Sequence, residues 1–116
     1  MTVKECYDKF GGDYEGVISR LLSEERVKKY MLKFLDDGSF ELLCTSLEAG
    51  NMDDAFRAAH TLKGVCQNLG FERLYVSSDQ LTELLRDREK HDVSELLKKT
   101  EEDYMTTISA IRMLQG

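Results

Sequence analysis

Residues 51–70 of the chain read NMDDAFRAAHTLKGVCQNLG. Asn51 is a favourable N-cap, the acidic side chains at positions 53 and 54 complement the positive end of a helix dipole, and Gly70 suits the left-handed residue that follows a helix. Apolar side chains recur at the spacing of one buried helical stripe, namely Ala55, Ala59, Leu62, Cys66 and Leu69. We therefore predict a helix that runs through residue 69.

Two further helical patterns precede this segment. The first begins at Ser23, and we expect Gly38 to stop it in the left-handed conformation. Ser39 is the expected N-cap of the second, which Gly50 ends. Because the connection between them is short, we expect the two helices to run antiparallel. The apolar stripes are Val27, Tyr30, Met31, Phe34 and Leu35 in the first, and Phe40, Leu43, Cys44 and Leu47 in the second.

Two helical patterns also follow the central segment. A helix is expected over about residues 71–87, and the charged run 86–92 is expected to form a solvated turn. Asp92 and Glu95 resemble a capping box at the start of the final and longest helix. The expected inner faces are Leu74, Ser78, Leu81 and Leu85 in the first helix, and Val93, Leu97, Tyr104, Ile108 and Ile111 in the second.

The N-terminal region carries signals for two short helices. Thr2 and Glu5 form a capping box for the first, and Asp13 caps the second. Together with the long amphipathic segments and their short connections, these signals predict an all-α fold, an antiparallel up-down-up-down four-helix bundle with one or two short N-terminal helices. A chain of 116 residues suits a single domain, which we place over residues 1–116.

Composition and charge narrow the possible functions. The 22 acidic and 16 basic side chains give a net charge of −6, which argues against nucleic acid as a partner. Charged residues close to the N-terminus interrupt any apolar run, so we expect neither a signal peptide nor a membrane span, and a cytoplasmic location. The three cysteines lack a metal-ligand spacing and are expected to act as small apolar residues, namely Cys6, Cys44 and Cys66.

His60 is the residue best placed for chemistry. It lies one step off the buried stripe of its helix, on a neighbouring stripe with Phe56, Lys63, Gly64 and Gln67. A neutral imidazole is a nucleophile that can take a phosphoryl group, and an ammonium group one turn away can offset the charge of the product. Glycine in the middle of a helix costs roughly 1 kcal/mol relative to alanine, so the space at position 64 is expected to serve the approach of a partner.

Simpler interpretations remain open at this point. His60 could be an ordinary residue at the edge of the core, with Lys63 an exposed charge and Gly64 a contact between helices. A metal or haem site that uses His60 with Cys66 or Cys44 is disfavoured, because His60 and Cys66 project on different sides of one helix and no HExxH-like pair is present. The other histidine, His91, lies in the polar turn, and we assign it no role.

The motif around His60 resembles that of a known family. His60, Thr61, Leu62, Lys63 and Gly64, followed by Asn68, Leu69 and Gly70, are similar to the H-x-L-K-G-x-x-x-N-L-G signature of histidine phosphotransfer (HPt) domains. Helix layout extends the resemblance from residues 11–15 to the final helix. One difference is Gln67, where many members of the family have a small residue.

This resemblance implies a phosphocarrier of two-component signal transduction. His60 would accept a phosphoryl group, through its outer nitrogen, from an aspartate of a receiver domain and pass it to another receiver. Lys63 would stabilise the phosphoryl group, and the surface that binds the partner would include Phe56, Gly64 and Gln67. The chain would be a monomer and no enzyme, with no cofactor of its own, and the Mg²⁺ for transfer would belong to the receiver. The alternative is a helical scaffold that binds a receiver or a partner helix without being phosphorylated.

Overall fold

A computed structural model describes residues 1–87 and 92–115 of the chain. In these ranges it contains only helices and no strand, so the predicted all-α helical bundle is confirmed. The helices are α1 (Val3–Phe10), α2 (Tyr14–Leu21), α3 (Glu24–Phe34), α4 (Ser39–Glu48), α5 (Met52–Leu69), α6 (Glu72–Arg86) and α7 (Ser94–Gln115). His91 and most of the predicted charged turn lie outside the described residues.

Helix α5 follows its sequence signals closely. The side chain of Asn51 accepts a hydrogen bond from the backbone N–H of Asp54, and Gly70 ends the helix in the left-handed conformation with φ 69°. The predicted inner stripe is buried at all five positions: Ala55, Ala59, Leu62, Cys66 and Leu69. Both ends and the inner face of this helix are therefore confirmed.

The connection between α3 and α4 differs from the prediction. Gly38 has φ −91° and precedes α4 as its N-cap, so the expected left-handed stop is wrong. Ser39 is the first helical residue and not the N-cap, and its N–H donates to the carboxylate of Asp37. The backbone N–H groups of residues 35–37 bond to carbonyls three residues earlier, which keeps this connection helix-like. Helices α3 and α4 do not pack along each other, so they are not the packed neighbours that the short connection predicted.

The bundle is formed around α5. Helices α4 and α6 pack on either side of it, through the short connections 49–51 and 70–71, and α7 packs against α6. The stacked rings of Phe40 and Tyr104, with centroids 4.4 Å apart, join α4 to α7. In the described ranges no helix has the length and apolar character needed to span a bilayer.

The N-terminal helices are fixed to the turn between α5 and α6. Helix α1 packs along α7, and the Tyr7 hydroxyl donates to the carbonyl of Leu69 at 2.6 Å. The backbone N–H of Asp13 donates to the carbonyl of Gly70 at 2.8 Å. The capping box at residues 2–5 and the cap by Asp13 are both present, as predicted. The N-terminal segment therefore stabilises the end of the helix that carries His60.

Two smaller predictions need correction. Tyr30, assigned to the buried stripe of α3, is 41% exposed. Helix α7 begins at Ser94, so Asp92 and Glu95 do not form a capping box; instead the carboxylate of Asp92 accepts a hydrogen bond from the N–H of Ser94.

Several side-chain hydroxyl groups of α6 and α7 are buried, and the sequence pattern predicted only Ser78 among them. These hydroxyls donate to carbonyls of their own helix; Ser78 and Thr82, for example, bond to the carbonyl four residues earlier, each at 2.7 Å. A hydroxyl satisfied in this way can be buried without a partner on the other helix. The buried polar residues of these two helices are Ser77, Ser78, Thr82, Thr100, Asp103 and Thr107.

Candidate functional site

His60 lies near the middle of α5 and its side chain is exposed. The buried stripe of the same helix faces the core, which leaves His60 on the outer side. Its ring lies beside the half-buried ring of Phe56, with centroids 5.9 Å apart and planes tilted by 42°. No hydrogen bond joins the ring to another described residue. The ring is thus exposed on the outer side of α5 without a hydrogen-bond partner in the described ranges.

Gly64 lies one turn after His60 and has open space in front of it. Among the described residues, a Cβ atom built at this position would meet no atom within 4 Å, apart from its two chain neighbours and its own helix backbone. Gly64 therefore does not serve a contact between helices, which removes one of the simpler interpretations. Its φ angle lies outside the left-handed region, so the backbone does not require glycine there either. The feature of Gly64 that the structure shows is therefore the open space that it leaves one turn from His60.

Lys63, three residues after His60, forms an ion pair with α6. Its Nζ atom lies 2.8 Å from Oδ1 of Asp79, and the two side chains are 21% and 36% exposed. The hydrogen bond to Asp79 raises the pKa of Lys63 above its usual value, so the ammonium form is favoured. Sequence reasoning placed Lys63 beside His60 but missed Asp79, because the pair depends on how α5 and α6 pack.

A second charged pair on α6 lies beside Phe56. The guanidinium of Arg86 is 5.2 Å from the centre of the Phe56 ring and donates two hydrogen bonds of 3.1 Å to the Glu83 carboxylate. Asp79, Glu83 and Arg86 are spaced by four and three residues, so they form one stripe of α6. That spacing is visible in the sequence and could have indicated a charged stripe next to His60.

Gln67 is exposed one turn beyond Gly64. Its backbone carbonyl, and that of Asn68, accept hydrogen bonds from the guanidinium of Arg20 in α2 at 3.3 and 3.2 Å. Arg20 thereby satisfies carbonyls at the C-terminal end of α5, where a positive charge is favourable. The side-chain amide of Gln67 faces solvent on the same side of the helix as His60.

The cysteines do not combine with His60. Cys66 is fully buried and Cys44 is half-buried, and burial raises the pKa of both thiols. A thiol in the core and an exposed ring on the outer face of α5 cannot share a metal ion. Across residues 1–87 and 92–115, the structure has no cluster of three or more His, Cys, Asp or Glu residues that could hold one.

Residues 35–113 match the family model of the Hpt domain. The chain belongs to the Hpt domain family. The match covers roughly two thirds of the chain and includes α4, α5, α6 and nearly all of α7. It confirms the resemblance seen in the motif around His60, whereas α1, α2 and α3 precede it. Searches of curated proteins and of solved structures gave no match.

Hpt membership gives the general function. Hpt domains are phosphocarriers rather than enzymes, they act in phosphorelay signalling, and they interact with receiver domains. In this Hpt chain, α5 presents the histidine, the lysine and the glycine of the family motif on its outer side. The helix backbone fixes their spacing, and the buried stripe fixes which side of α5 faces the core.

Proposed function

We propose that this chain is a phosphorelay intermediate in which His60 accepts a phosphoryl group from an aspartyl phosphate of one receiver domain and passes it to an aspartate of another. The proposed partners are receiver domains of response regulators or of hybrid sensor kinases. The observation that carries the proposal is the exposed ring of His60 with open space at Gly64 one turn away.

The transfer moves one phosphoryl group between two nucleophiles. The lone pair of the outer ring nitrogen, Nε2, attacks phosphorus; the N–P bond forms as the bond from phosphorus to the aspartate oxygen breaks, and the aspartate leaves with that electron pair as a carboxylate. The neutral ring enters with its proton on Nδ1, so Nε2 needs no base to remove a proton. The reverse sequence transfers the group to the next receiver.

Lys63 supports this reaction through its charge. Lys63 lies about one helical turn after His60 in α5, and the hydrogen bond to Asp79 favours its ammonium form. A positive charge near the transferred group offsets the negative charge on its oxygens, without any proton transfer. The Mg²⁺ that such a transfer uses is proposed to belong to the receiver domain.

The partner is proposed to bind over the outer side of α5. Phe56 offers an apolar ring, Gly64 offers clearance for the backbone of the partner, and Gln67 offers an amide at the edge of the surface. We propose that the chain works as a cytoplasmic monomer, since each step needs only one receiver at a time. Light scattering during size-exclusion chromatography tests the oligomeric state.

The deciding experiment is labelling by a phosphorylated receiver. The wild-type chain should acquire an acid-labile, base-stable phosphate, and His60→Gln should acquire none while its circular dichroism and melting temperature stay close to wild type. Thr61→Gln, at the next exposed position of the same helix, is a matched control that should still be labelled. Full labelling of His60→Gln would contradict the proposal.

The scaffold function predicts a different result. In that case a receiver binds the chain tightly, no phosphate appears on His60, and the affinity is the same for wild type and His60→Gln. Labelling and binding measured on the same samples therefore separate the two functions.

A further inference from the structure

The ion pair between Lys63 and Asp79 links the lysine beside His60 to the neighbouring helix. Nζ and Oδ1 are 2.8 Å apart, and both side chains keep contact with solvent. The Arg86–Glu83 pair, by contrast, lies within α6. The position of the Lys63 ammonium is therefore set by a residue of another helix, about one turn of α6 before Glu83.

Asp79 affects Lys63 in two ways. A lysine side chain has a flexible four-carbon stem and three N–H donors, and the bond to Asp79 restricts the stem and uses one donor. The carboxylate also offsets the positive charge that Lys63 presents to its surroundings. A phosphoryl group on His60 would bring between one and two negative charges and would compete with Asp79 for the same ammonium.

We propose that Asp79 is a positioning residue for phosphotransfer, which holds the Lys63 ammonium towards α6 and limits how strongly Lys63 stabilises a phosphoryl group on His60. This inference rests on the proposed function, because it takes His60 as the phosphoacceptor. A weakly stabilised phosphohistidine loses its group readily: the N–P bond breaks as a receiver carboxylate oxygen forms its bond to phosphorus, and Lys63 keeps its protons throughout. Asp79 thus favours onward transfer over storage.

The test is the equilibrium partition of the phosphoryl group between this chain and a receiver. Asp79→Asn keeps the size of the side chain and an oxygen acceptor for Lys63 but removes the charge. The partition should shift towards His60 by roughly two- to fivefold, the range expected for a partly exposed ion pair. Hydrolysis of the phosphohistidine should also be slower in Asp79→Asn than in wild type, because Lys63 stabilises the phosphoryl group more strongly. Asp79→Glu keeps the negative charge, so its partition should stay within a factor of about two of the wild-type value.

A double-mutant cycle shows whether Asp79 acts through Lys63. If it does, Asp79→Asn made in a Lys63→Ala background should leave the partition nearly unchanged. An equal shift in both backgrounds would mean that Asp79 repels the phosphoryl group directly, which overturns the inference. Glu72→Gln removes one charge from the far end of the same helix and should leave the partition as in wild type.

Labelling of the wild-type chain distinguishes failure of the proposed function from failure of the inference about Asp79. If the wild-type chain takes no phosphate on His60, the proposed function and the inference fall together. If the wild type is labelled normally and Asp79→Asn is folded but shows an unchanged partition, only the inference falls.

Discussion

Gly64 is a residue whose identity the fold does not require. Its backbone has no left-handed φ angle, and in the part of the chain that the structure describes no atom beyond its chain neighbours and its own helix backbone lies within 4 Å of the place of a Cβ. The fold would therefore accept a side chain at this position. Glycine there costs helix stability, and we propose that it serves the approach of another molecule to His60.

Gly64→Ala should stabilise the chain by about 0.5–1 kcal/mol, because alanine is the better helix former. Gly64→Gln should also fold, but its long side chain would fill the clearance and slow transfer from a receiver by roughly tenfold or more. Urea denaturation and receiver-dependent labelling measure the two effects. Loss of stability in Gly64→Ala would show that the clearance is used by the fold.

Gly50 is the matched control for this substitution. It also has open space around its Cβ position, but its φ angle is +72°. Gly50→Ala should therefore destabilise the chain, by about 1 kcal/mol or more, because a Cβ is strained in the left-handed region. Opposite signs at the two glycines would show that conformation, and not space, sets the stability effect.

Lys63→Ala should slow transfer by about three- to tenfold without abolishing it, because it removes one charge-assisted contact and leaves the nucleophile in place. The hydrogen bond to Asp79 raises the pKa of Lys63 above its ordinary value of 10.5. A cationic group whose pKa is raised is fully charged below its ordinary pKa, and its effect is lost only as the pH rises through the raised pKa.

The ratio of wild-type to Lys63→Ala transfer rates should therefore stay constant between about pH 7 and about pH 9. Rapid-quench measurements with one phosphorylated receiver give both rates at each pH. A ratio that falls towards one within this window would contradict a permanently charged Lys63.

Much of this site was predictable from residues close together in the chain. The caps and buried stripe of α5 are local signals, and they placed His60, Lys63 and Gly64 on its outer side correctly. The ion pair with Asp79 was not predictable in this way. It depends on the rotation of α5 against α6, which no pattern within one helix specifies.

At the scale of elements, the N-terminal segment holds the end of α5 in place. The hydroxyl of Tyr7 donates to the carbonyl of Leu69, a group that the helix itself leaves without a partner. Tyr7 is fully buried, and burial raises the pKa of its phenol, so the donor proton is retained over the ordinary pH range. Asp13 adds a backbone bond to Gly70 in the same region.

Tyr7→Phe should destabilise the chain by about 1–2 kcal/mol, because the buried carbonyl of Leu69 loses its partner while the ring packing remains. Urea denaturation measures this change. Tyr14→Phe is the control, since the Tyr14 ring contacts Tyr7 but its hydroxyl bonds to no described residue. Equal losses in the two variants would contradict a specific role for the Tyr7 hydroxyl.

The element-scale errors of the sequence prediction have physical causes. Glycine at position 38 indicated that the chain would turn there. Instead, the N–H groups of residues 35–37 bond to carbonyls three residues earlier, which keeps this segment helix-like, and Gly38 is the N-cap of α4. Serine and threonine count as polar in a hydrophobic pattern, yet Ser77 and Thr82 donate to carbonyls of their own helix and are buried. Periodicity therefore predicted which segments are helical better than how the helices join.

At the scale of the whole molecule, the family match covers a shorter part of the chain than the packed core does. The match begins at Leu35, whereas the core includes side chains from α1, α2 and α3. Phe71, fully buried at the start of α6, shows this most directly. Three rings surround it at centroid distances of 5.9, 5.0 and 5.1 Å, namely Tyr7, Phe10 and Phe34. All three belong to the part of the chain before the match.

A fragment of residues 35–116 should therefore fail to fold cooperatively. It lacks eight buried side chains of residues 1–34: Val3, Cys6, Tyr7, Phe10, Val17, Val27, Met31 and Phe34. Burial of each large apolar side chain contributes about 1.5–3 kcal/mol, and a domain has a net stability of only about 5–15 kcal/mol. The loss also exposes Phe71 to water.

The fragment should bind a hydrophobic dye and show a broad thermal transition by circular dichroism, whereas the full chain should melt in one sharp step. Addition of a peptide of residues 1–34 should restore part of the cooperative transition, because it returns the three rings to Phe71. A fragment that melts sharply near the temperature of the full chain would show that α4 to α7 form a self-sufficient bundle, and that the N-terminal helices only cover it.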